Sequence, residues 1–116
     1  MQTHNGSCHC GAVTFTITGE VTKAISCNCS HCSRKGMLLV FFPASAFTLL
    51  TGEENLTEYR FNTKKIAHLF CTTCGVQGFA KGHMPDGSPT IALNVRCLED
   101  IDLETLPIEK ANGKDF

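Results

Sequence analysis

The sequence predicts an all-β fold of small antiparallel sheets that are stapled together by zinc. Three observations support this prediction. Short apolar stretches of strand length recur along the chain, turn-forming residues separate them, and eight cysteines fall largely into clusters with the spacing of metal ligands. A helical pattern is visible in one segment only, so helices contribute little to the predicted fold.

Four strands are predicted in the first half of the chain: residues 12–18, 23–27, 36–42 and 46–50. In the first strand Val13, Phe15 and Ile17 alternate with threonines, which is typical of a strand with one buried face. The third strand, "GMLLVFF", is continuously apolar and is therefore predicted to be buried on both faces. Pro43 ends it, and the turn-forming "TGEEN" ends the fourth strand.

Four further strands are predicted in the second half: residues 57–61, 65–71, 77–82 and 90–95. The first two are separated by "NTK", which is a suitable length for a hairpin turn. Residues 97–106 carry loosely spaced leucines and an isoleucine, so one short helix or turn is predicted there. Four phenylalanines are assigned to the core: Phe41, Phe42, Phe70 and Phe79.

Composition narrows the class of protein. The chain has the length of one domain, residues 1–116, and a formal net charge of −1 without a basic run. This pattern does not favour nucleic acid as a partner, and no apolar run approaches the roughly 20 residues of a membrane helix. The N-terminus lacks the features of a secretory signal, so a cytoplasmic protein is expected. In a reducing compartment, eight cysteines indicate metal binding rather than disulfides.

Two cysteine pairs far apart in the sequence predict a closed metal site. "FCTTCG" has the two-residue spacing of a zinc-binding turn, and "SCHCG" places its cysteines two positions apart, on one face of an extended strand. A glycine follows each pair and permits a left-handed backbone that turns amides toward sulfur. Cys8, Cys10, Cys71 and Cys74 together supply the four thiolates of a structural zinc site.

The stretch "CNCSHC" holds three cysteines, and this number is informative. Cys27, Cys29 and Cys32 leave one open position on a tetrahedral zinc, which is typical of a catalytic or substrate-binding metal. A thiol substrate could occupy that position and be deprotonated there near neutral pH. Three alternatives remain open. His31 or Cys97 could close the site, two cysteines could be oxidised, or the seven thiolates could divide differently between two metals.

Residues close to these cysteines allow more than one role. Arg34 and Lys35 directly follow the three-cysteine stretch and either bind carboxylates of a peptide thiol or form a solvated turn. His31 is a candidate ligand or proton donor, or is simply exposed. His68 lies beside Phe70 in a predicted strand and is expected to be a packing residue. Cys97 is expected to be a small buried apolar residue.

The segments "SCHCGAVTFTITG", "CNCSHCSRKG" and "HLFCTTCGVQGF", in this order, resemble the family of glutathione-dependent formaldehyde-activating enzymes and centromere protein V. The resemblance continues through "NVRCLED" to "ANGKDF" and so covers nearly the whole chain. It implies an all-β fold of the β-tent type with two zinc ions. One zinc is structural, and the second lies where glutathione is thought to act in the family. The implied activity is that of a carbon–sulfur lyase that forms or cleaves S-(hydroxymethyl)glutathione.

The first hypothesis is therefore an enzyme in which Cys27, Cys29 and Cys32 form the catalytic metal site. Its partner is a small-molecule thiol such as glutathione, and no nucleic-acid or membrane partner is expected. The alternatives are a non-catalytic zinc module for protein interaction and a thiol redox or metal sensor. Either a monomer or a homodimer is compatible with the sequence.

Overall fold

A computed structural model of the protein describes residues 2–60 and 66–111. The described residues form ten strands and one α-helix: β1 (Thr3–Ser7), β2 (Thr14–Thr18), β3 (Ala24–Cys27), α1 (Ser30–Lys35), β4 (Leu39–Pro43), β5 (Phe47–Thr51), β6 (Leu56–Tyr59), β7 (Ala67–Cys71), β8 (Gln77–His83), β9 (Pro89–Asn94) and β10 (Ile108–Ala111). Three short 3-10 turns precede β5, precede β6 and follow β9. This architecture confirms the all-β prediction. Among the described residues, no helix has the length and apolarity needed to span a membrane.

The smaller sheet contains three strands in the order β1-β2-β5, all antiparallel. Strand β2 shows the predicted alternation, because Phe15 and Ile17 are buried while the threonines between them are partly exposed. Strand β1 was not predicted from its sequence, "THNGS", which has little of the β-branched and aromatic content typical of strands. It forms because it pairs with β2 along its full length.

The larger sheet contains seven strands in the order β10-β3-β4-β9-β8-β7-β6. Its pairs are antiparallel except for β10, which runs parallel to β3 and was not predicted as a strand. The prediction of purely antiparallel sheets is therefore wrong at this edge. A hairpin turn forces neighbouring strands to run antiparallel, but most of the chain separates β3 from β10 and leaves their direction free. The predicted turn at residues 62–64 lies outside the described residues, although β6 and β7 do pair antiparallel.

The two sheets meet around Phe15. Its ring lies 5.5 Å from the ring of Phe47 and 5.9 Å from that of Phe79, measured between centroids. Two glycines make room for it, since a Cβ atom added to Gly6 or Gly78 would lie 2.4 Å or 2.8 Å from the Phe15 ring. These glycines belong to β1 and to β8, so the close packing of one aromatic ring fixes the small sheet against the large one.

The only α-helix of the described residues lies in a segment for which no helix was predicted, and the short helix or turn predicted at residues 97–106 is a turn. Residues 97–106 form turns and irregular chain, whereas α1 covers Ser30–Lys35. The Sγ atom of Cys29 accepts a hydrogen bond from the backbone N–H of Cys32 and caps the start of α1. Gly36, with φ 67°, ends the helix in the left-handed conformation. The helix start was not predicted because the residues usually found at that position are serine, threonine, aspartate and asparagine, and not cysteine.

The apolar run at residues 36–42 was predicted to be buried on both faces. Residues 37–39 are buried, but beyond Leu39 only one face of the strand is buried. Cys32 of α1 packs against Leu39 in β4. Phe41 lies two residues further along the same face of β4, and its side chain is 51% exposed. Its assignment to the core is therefore wrong, because α1 is too short to cover this part of the sheet. Phe42 and Phe79 are buried as predicted, and Phe70 is half-buried.

Candidate metal centres

The two predicted cysteine pairs come together in one cluster. Cys71 ends β7 and Cys74 lies in the turn before β8, while Cys8 and Cys10 lie in the bend between β1 and β2. The Sγ atoms of Cys8 and Cys10 are 3.6 Å apart, and those of Cys10 and Cys71 are also 3.6 Å apart. All four sulfurs lie within 4.8 Å of one another. We call this group the four-cysteine cluster.

Both halves of the four-cysteine cluster are tight turns that direct amides at sulfur. The backbone N–H of Cys74 approaches the Sγ atom of Cys71 at 3.5 Å, and Gly75 adopts φ 80° directly after it. In the other half, the Sγ atom of Cys8 accepts the N–H of Val13 at 3.4 Å. Residues 8–13 form a bend, so the prediction that this pair lies on an extended strand is wrong. Gly11, with φ 84°, allows the chain to reverse there.

The geometry and chemistry of this cluster fit a tetrahedral zinc ion. Zinc–sulfur bonds of about 2.3 Å place the sulfurs of a tetrahedron about 3.8 Å apart, close to the observed separations. The backbone N–H groups of Val76 and Cys10 lower the pKa of the Cys74 thiol to about 6, which favours the thiolate. The Nδ2 atom of Asn55 donates to the Sγ atom of Cys71 at 3.3 Å. Amide donors of this kind stabilise thiolate ligands from outside the metal shell.

Cys27, Cys29 and Cys32 form a second group, which we call the three-cysteine cluster. Cys27 ends β3, Cys29 caps α1 and Cys32 lies in its first turn, so one strand-to-helix connection supplies all three sulfurs. The sulfurs lie within 4.8 Å of one another. Cys32 is buried, whereas the other two side chains are half-buried. A ligand can therefore approach the cluster from the solvent side.

Different environments act on the three thiols. Burial raises the pKa of the Cys32 thiol to about 12. Burial is the largest single effect on Cys29 and opposes its ionisation, but hydrogen bonds from the N–H groups of Cys32 and His31 and from the Cys32 and Cys27 thiols together outweigh burial and lower the pKa of Cys29. A soft divalent cation supplies the charge that three clustered thiolates need. Both clusters are therefore compatible with zinc.

The described residues place no fourth histidine, cysteine or carboxylate ligand atom in the three-cysteine cluster. Cys97 lies elsewhere, with its Sγ atom 3.7 Å from the Nδ2 atom of Asn94 and 3.7 Å from the carbonyl oxygen of Gln77. Burial, with smaller effects of Cys8 and Cys74, raises the pKa of Cys97 to about 11. Cys97 is thus a partly buried thiol near the four-cysteine cluster, and it does not close the other site.

His31 contacts two aromatic side chains that sequence reasoning did not connect with the site. Its ring centroid lies 4.1 Å from that of His68 and 5.7 Å from that of Tyr59. Tyr59 and His68 are direct partners in the β6–β7 register and therefore share a face of the sheet. Burial, reinforced by His31 and Lys35, lowers the pKa of His68 to about 4, so His68 is neutral at pH 7. His68 is a packing residue, as predicted, but it packs against the helix that carries the cysteines.

A separate cavity of about 500 Å³ lies between β5, β8 and β9, with further lining from Glu58 and Arg60. Lys81 and His83 also line it. None of the clustered cysteines borders this cavity, so the predicted site residues are not part of it.

The fold and the two clusters define an all-β protein with two cysteine sites that can hold metal ions. Comparison with known proteins identifies the family. The chain matches the family described as glutathione-dependent formaldehyde-activating enzyme over residues 3–111, and it belongs to this family. It is also similar to a Rhodobacter sphaeroides protein of known crystal structure, a structural genomics target. The two share 31% sequence identity with a TM-score of 0.78, over 90% of this chain and 99% of that one.

Proposed function

We propose that the protein is a zinc-dependent carbon–sulfur lyase that acts on the adduct of a glutathione-type thiol and a small aldehyde. The observation that carries this proposal is the incomplete ligand set of the three-cysteine cluster in a member of the glutathione-dependent formaldehyde-activating family. A site built only for structure has four protein ligands, whereas a site that binds substrate keeps a position open.

We assign different roles to the two clusters. Cys8, Cys10, Cys71 and Cys74 would hold a structural zinc, and Cys27, Cys29 and Cys32 would hold a second zinc at the active site. Zinc bound there would lower the pKa of a substrate thiol, so that the thiolate can act as a nucleophile at neutral pH.

The reaction forms one bond and moves one proton. The sulfur of the substrate thiol bonds to the carbonyl carbon of the aldehyde, the carbonyl π electrons move to oxygen, and the proton lost from sulfur ends on that oxygen. The reverse reaction cleaves the carbon–sulfur bond and returns the aldehyde. His31 is adjacent to the three-cysteine cluster in sequence and is the residue that we propose to move the proton.

Calorimetric titration of the purified protein with glutathione tests the proposal, with zinc content measured on the same sample. We expect two zinc ions per chain and saturable thiol binding. Cys32→Ser should retain one zinc and lose thiol binding. Two tightly held zinc ions without any thiol binding would instead favour a non-catalytic zinc module. Oxidation by peroxide with release of one zinc, and no thiol binding, would favour a redox or metal sensor.

We also propose a cytoplasmic location, because the cysteines do not form disulfides. All eight cysteines are free, which suits a reducing compartment such as the cytoplasm. We further propose that residues 1–116 act as one domain, as a monomer or a homodimer.

A further inference from the structure

The two basic residues at the end of α1 point to different partners. The Nη1 atom of Arg34 donates to the carbonyl oxygen of Ser30 at 2.8 Å, within the same helix. The Nζ atom of Lys35 donates to the Oε1 atom of Gln77 at 2.7 Å, on strand β8. Arg34 therefore satisfies a carbonyl of its own helix, whereas Lys35 reaches across to strand β8 of the larger sheet. Favourable interaction with the helix dipole applies to both residues and does not explain this difference.

Two groups contact the Lys35 ammonium, and a third holds one of them in place. Besides its hydrogen bond to Gln77, the ammonium lies 4.9 Å from the centroid of the Phe70 ring, within the range of a cation–π contact. Gln77 is itself only 4% exposed, and its Nε2 atom lies 3.5 Å from the Nδ1 atom of His68, which can accept its N–H. Holding a lysine side chain in one position costs conformational entropy, and the contacts with Gln77 and Phe70 offset that cost for Lys35.

Lys35 follows Cys32 by three residues in α1, so the two side chains are neighbours on one face of the helix. Burial lowers the pKa of Lys35, and negative charge on the sulfur of Cys32 opposes that effect. None of the ion pairs between described residues joins Lys35 to a carboxylate. The lysine is therefore next to the three-cysteine cluster through Cys32, and none of these ion pairs gives it a carboxylate partner among the described residues.

A cation near the three-cysteine cluster would offset the negative charge that builds up when a substrate thiolate binds. A divalent metal with three thiolates carries one net negative charge, and a fourth thiolate brings the site to two. Negative charge that accumulates away from bulk water is costly unless a cation lies nearby. A substrate that binds as a neutral thiol would not create this cost. The cation therefore favours the thiolate form of the substrate.

We propose that Lys35 stabilises the thiolate of the substrate at the three-cysteine site, and that Gln77 is the positioning residue that holds Lys35 there. This inference rests on the proposed function. Lys35 would thus stabilise a thiolate, which is neither of the two roles that the sequence left open, binding a carboxylate of a peptide thiol or forming a solvated turn. It applies to any small thiol, whether or not the thiol carries carboxylates.

The experiment compares Lys35→Met with the adjacent Arg34→Met as a matched control. Both remove one positive charge from the end of α1. Zinc-loaded proteins are titrated at several pH values with glutathione and with 2-mercaptoethanol, which has no carboxylate. For Lys35→Met we expect about tenfold weaker binding of both thiols at pH 7, equivalent to one pKa unit, and a pH profile displaced to higher pH. Arg34→Met should stay within about twofold of the unmodified protein.

Two further variants separate charge from structure. Lys35→Arg keeps the charge and should recover most of the affinity, while Gln77→Leu should lose affinity although Lys35 is present. Zinc content and thermal unfolding must match the unmodified protein in each variant that is compared. If Lys35→Met binds 2-mercaptoethanol as the unmodified protein does, whether or not glutathione binding is lost, the inference is overturned. The proposed function would then remain intact. Absence of thiol binding in the unmodified protein would overturn both.

Discussion

The two cysteine clusters use similar ligands but relate to the fold in opposite ways. The four-cysteine cluster joins segments far apart in sequence, since Cys10 and Cys71 are 61 residues apart. The three-cysteine cluster takes all its ligands from the six residues 27–32. A metal that closes a long loop removes many conformations from the unfolded chain, whereas one that closes a short loop removes few. We therefore expect a metal in the first cluster to stabilise the fold, and a metal in the second to exchange a ligand more freely.

The largest expected effect distinguishes the clusters directly. Cys71→Ser should lower the free energy of unfolding by at least about 3 kcal/mol, because it removes a ligand that ties the small sheet to the β7–β8 turn. Cys27→Ser should lose one zinc but keep cooperative unfolding, with a cost below about 2 kcal/mol. Chemical denaturation with zinc counted before and after each transition measures both values. Equal destabilisation by the two variants would contradict the division of roles.

The next effect concerns the surroundings of the three-cysteine cluster and depends on pH. Burial holds the pKa of His68 at about 4, below its ordinary value of 6.5, so the folded protein binds fewer protons than the unfolded chain between these values. The stability associated with neutral His68 is therefore complete above about pH 6.5 and is lost as the pH falls toward 4. After allowance for solvent screening, this contribution is at most about 2 kcal/mol.

His68→Gln isolates this contribution from the protonation of the cysteines, which remain the same in both proteins. The loss of unfolding free energy between pH 7 and pH 5 should be smaller in the variant. Denaturant titrations at the two pH values give the comparison. Identical pH dependence in both proteins would show that His68 is not held neutral by the fold.

A smaller effect tests the surroundings of the four-cysteine cluster. Asn55→Ala removes the amide donor to the Sγ atom of Cys71 and should cost about 1 kcal/mol. It should also weaken metal binding at this cluster by 10-fold or more, a typical effect of losing such a donor. Thr73→Ala is the matched control, because it removes the other partner of Asn55 but leaves the donor to sulfur in place. Competition with a chelator measures the metal affinity, and equal values for both variants would exclude this role.

The cysteines of both clusters could be grouped from the sequence more readily than the surroundings of the second cluster. Short spacings such as "CTTC" are local, so Cys71 and Cys74 are recognisable without knowledge of the fold. The contacts of His31 with Tyr59 and His68 depend on the register of β6 with β7 and on the position of α1 over the sheet. Neither is encoded in a local pattern.

The position of α1 was missed for a physical reason. Six residues are too few to show a helical period, and isolated helices of this length are not stable in water. The helix exists because Cys29 caps it, Gly36 ends it and Cys32 packs on Leu39. Parallel strand β10 was missed similarly, because its partner β3 lies at the other end of the chain.

The smallest expected effect tests whether α1 must end where it does. Gly36 adopts φ 67°, and an added Cβ atom would meet nothing within 4 Å, so Gly36→Ala costs only backbone strain of about 1 kcal/mol. Gly87→Ala is a matched control, since Gly87 also has a left-handed φ of 89° and open space around it, but lies in the β8–β9 turn. Both variants should lose similar stability. Gly36→Ala alone should accelerate zinc release to a chelator from the three-cysteine cluster, because strain at the end of α1 acts on the helix that carries Cys32. Equal release from both variants would mean that the cluster holds its metal through the Cys27–Cys29 connection and not through α1.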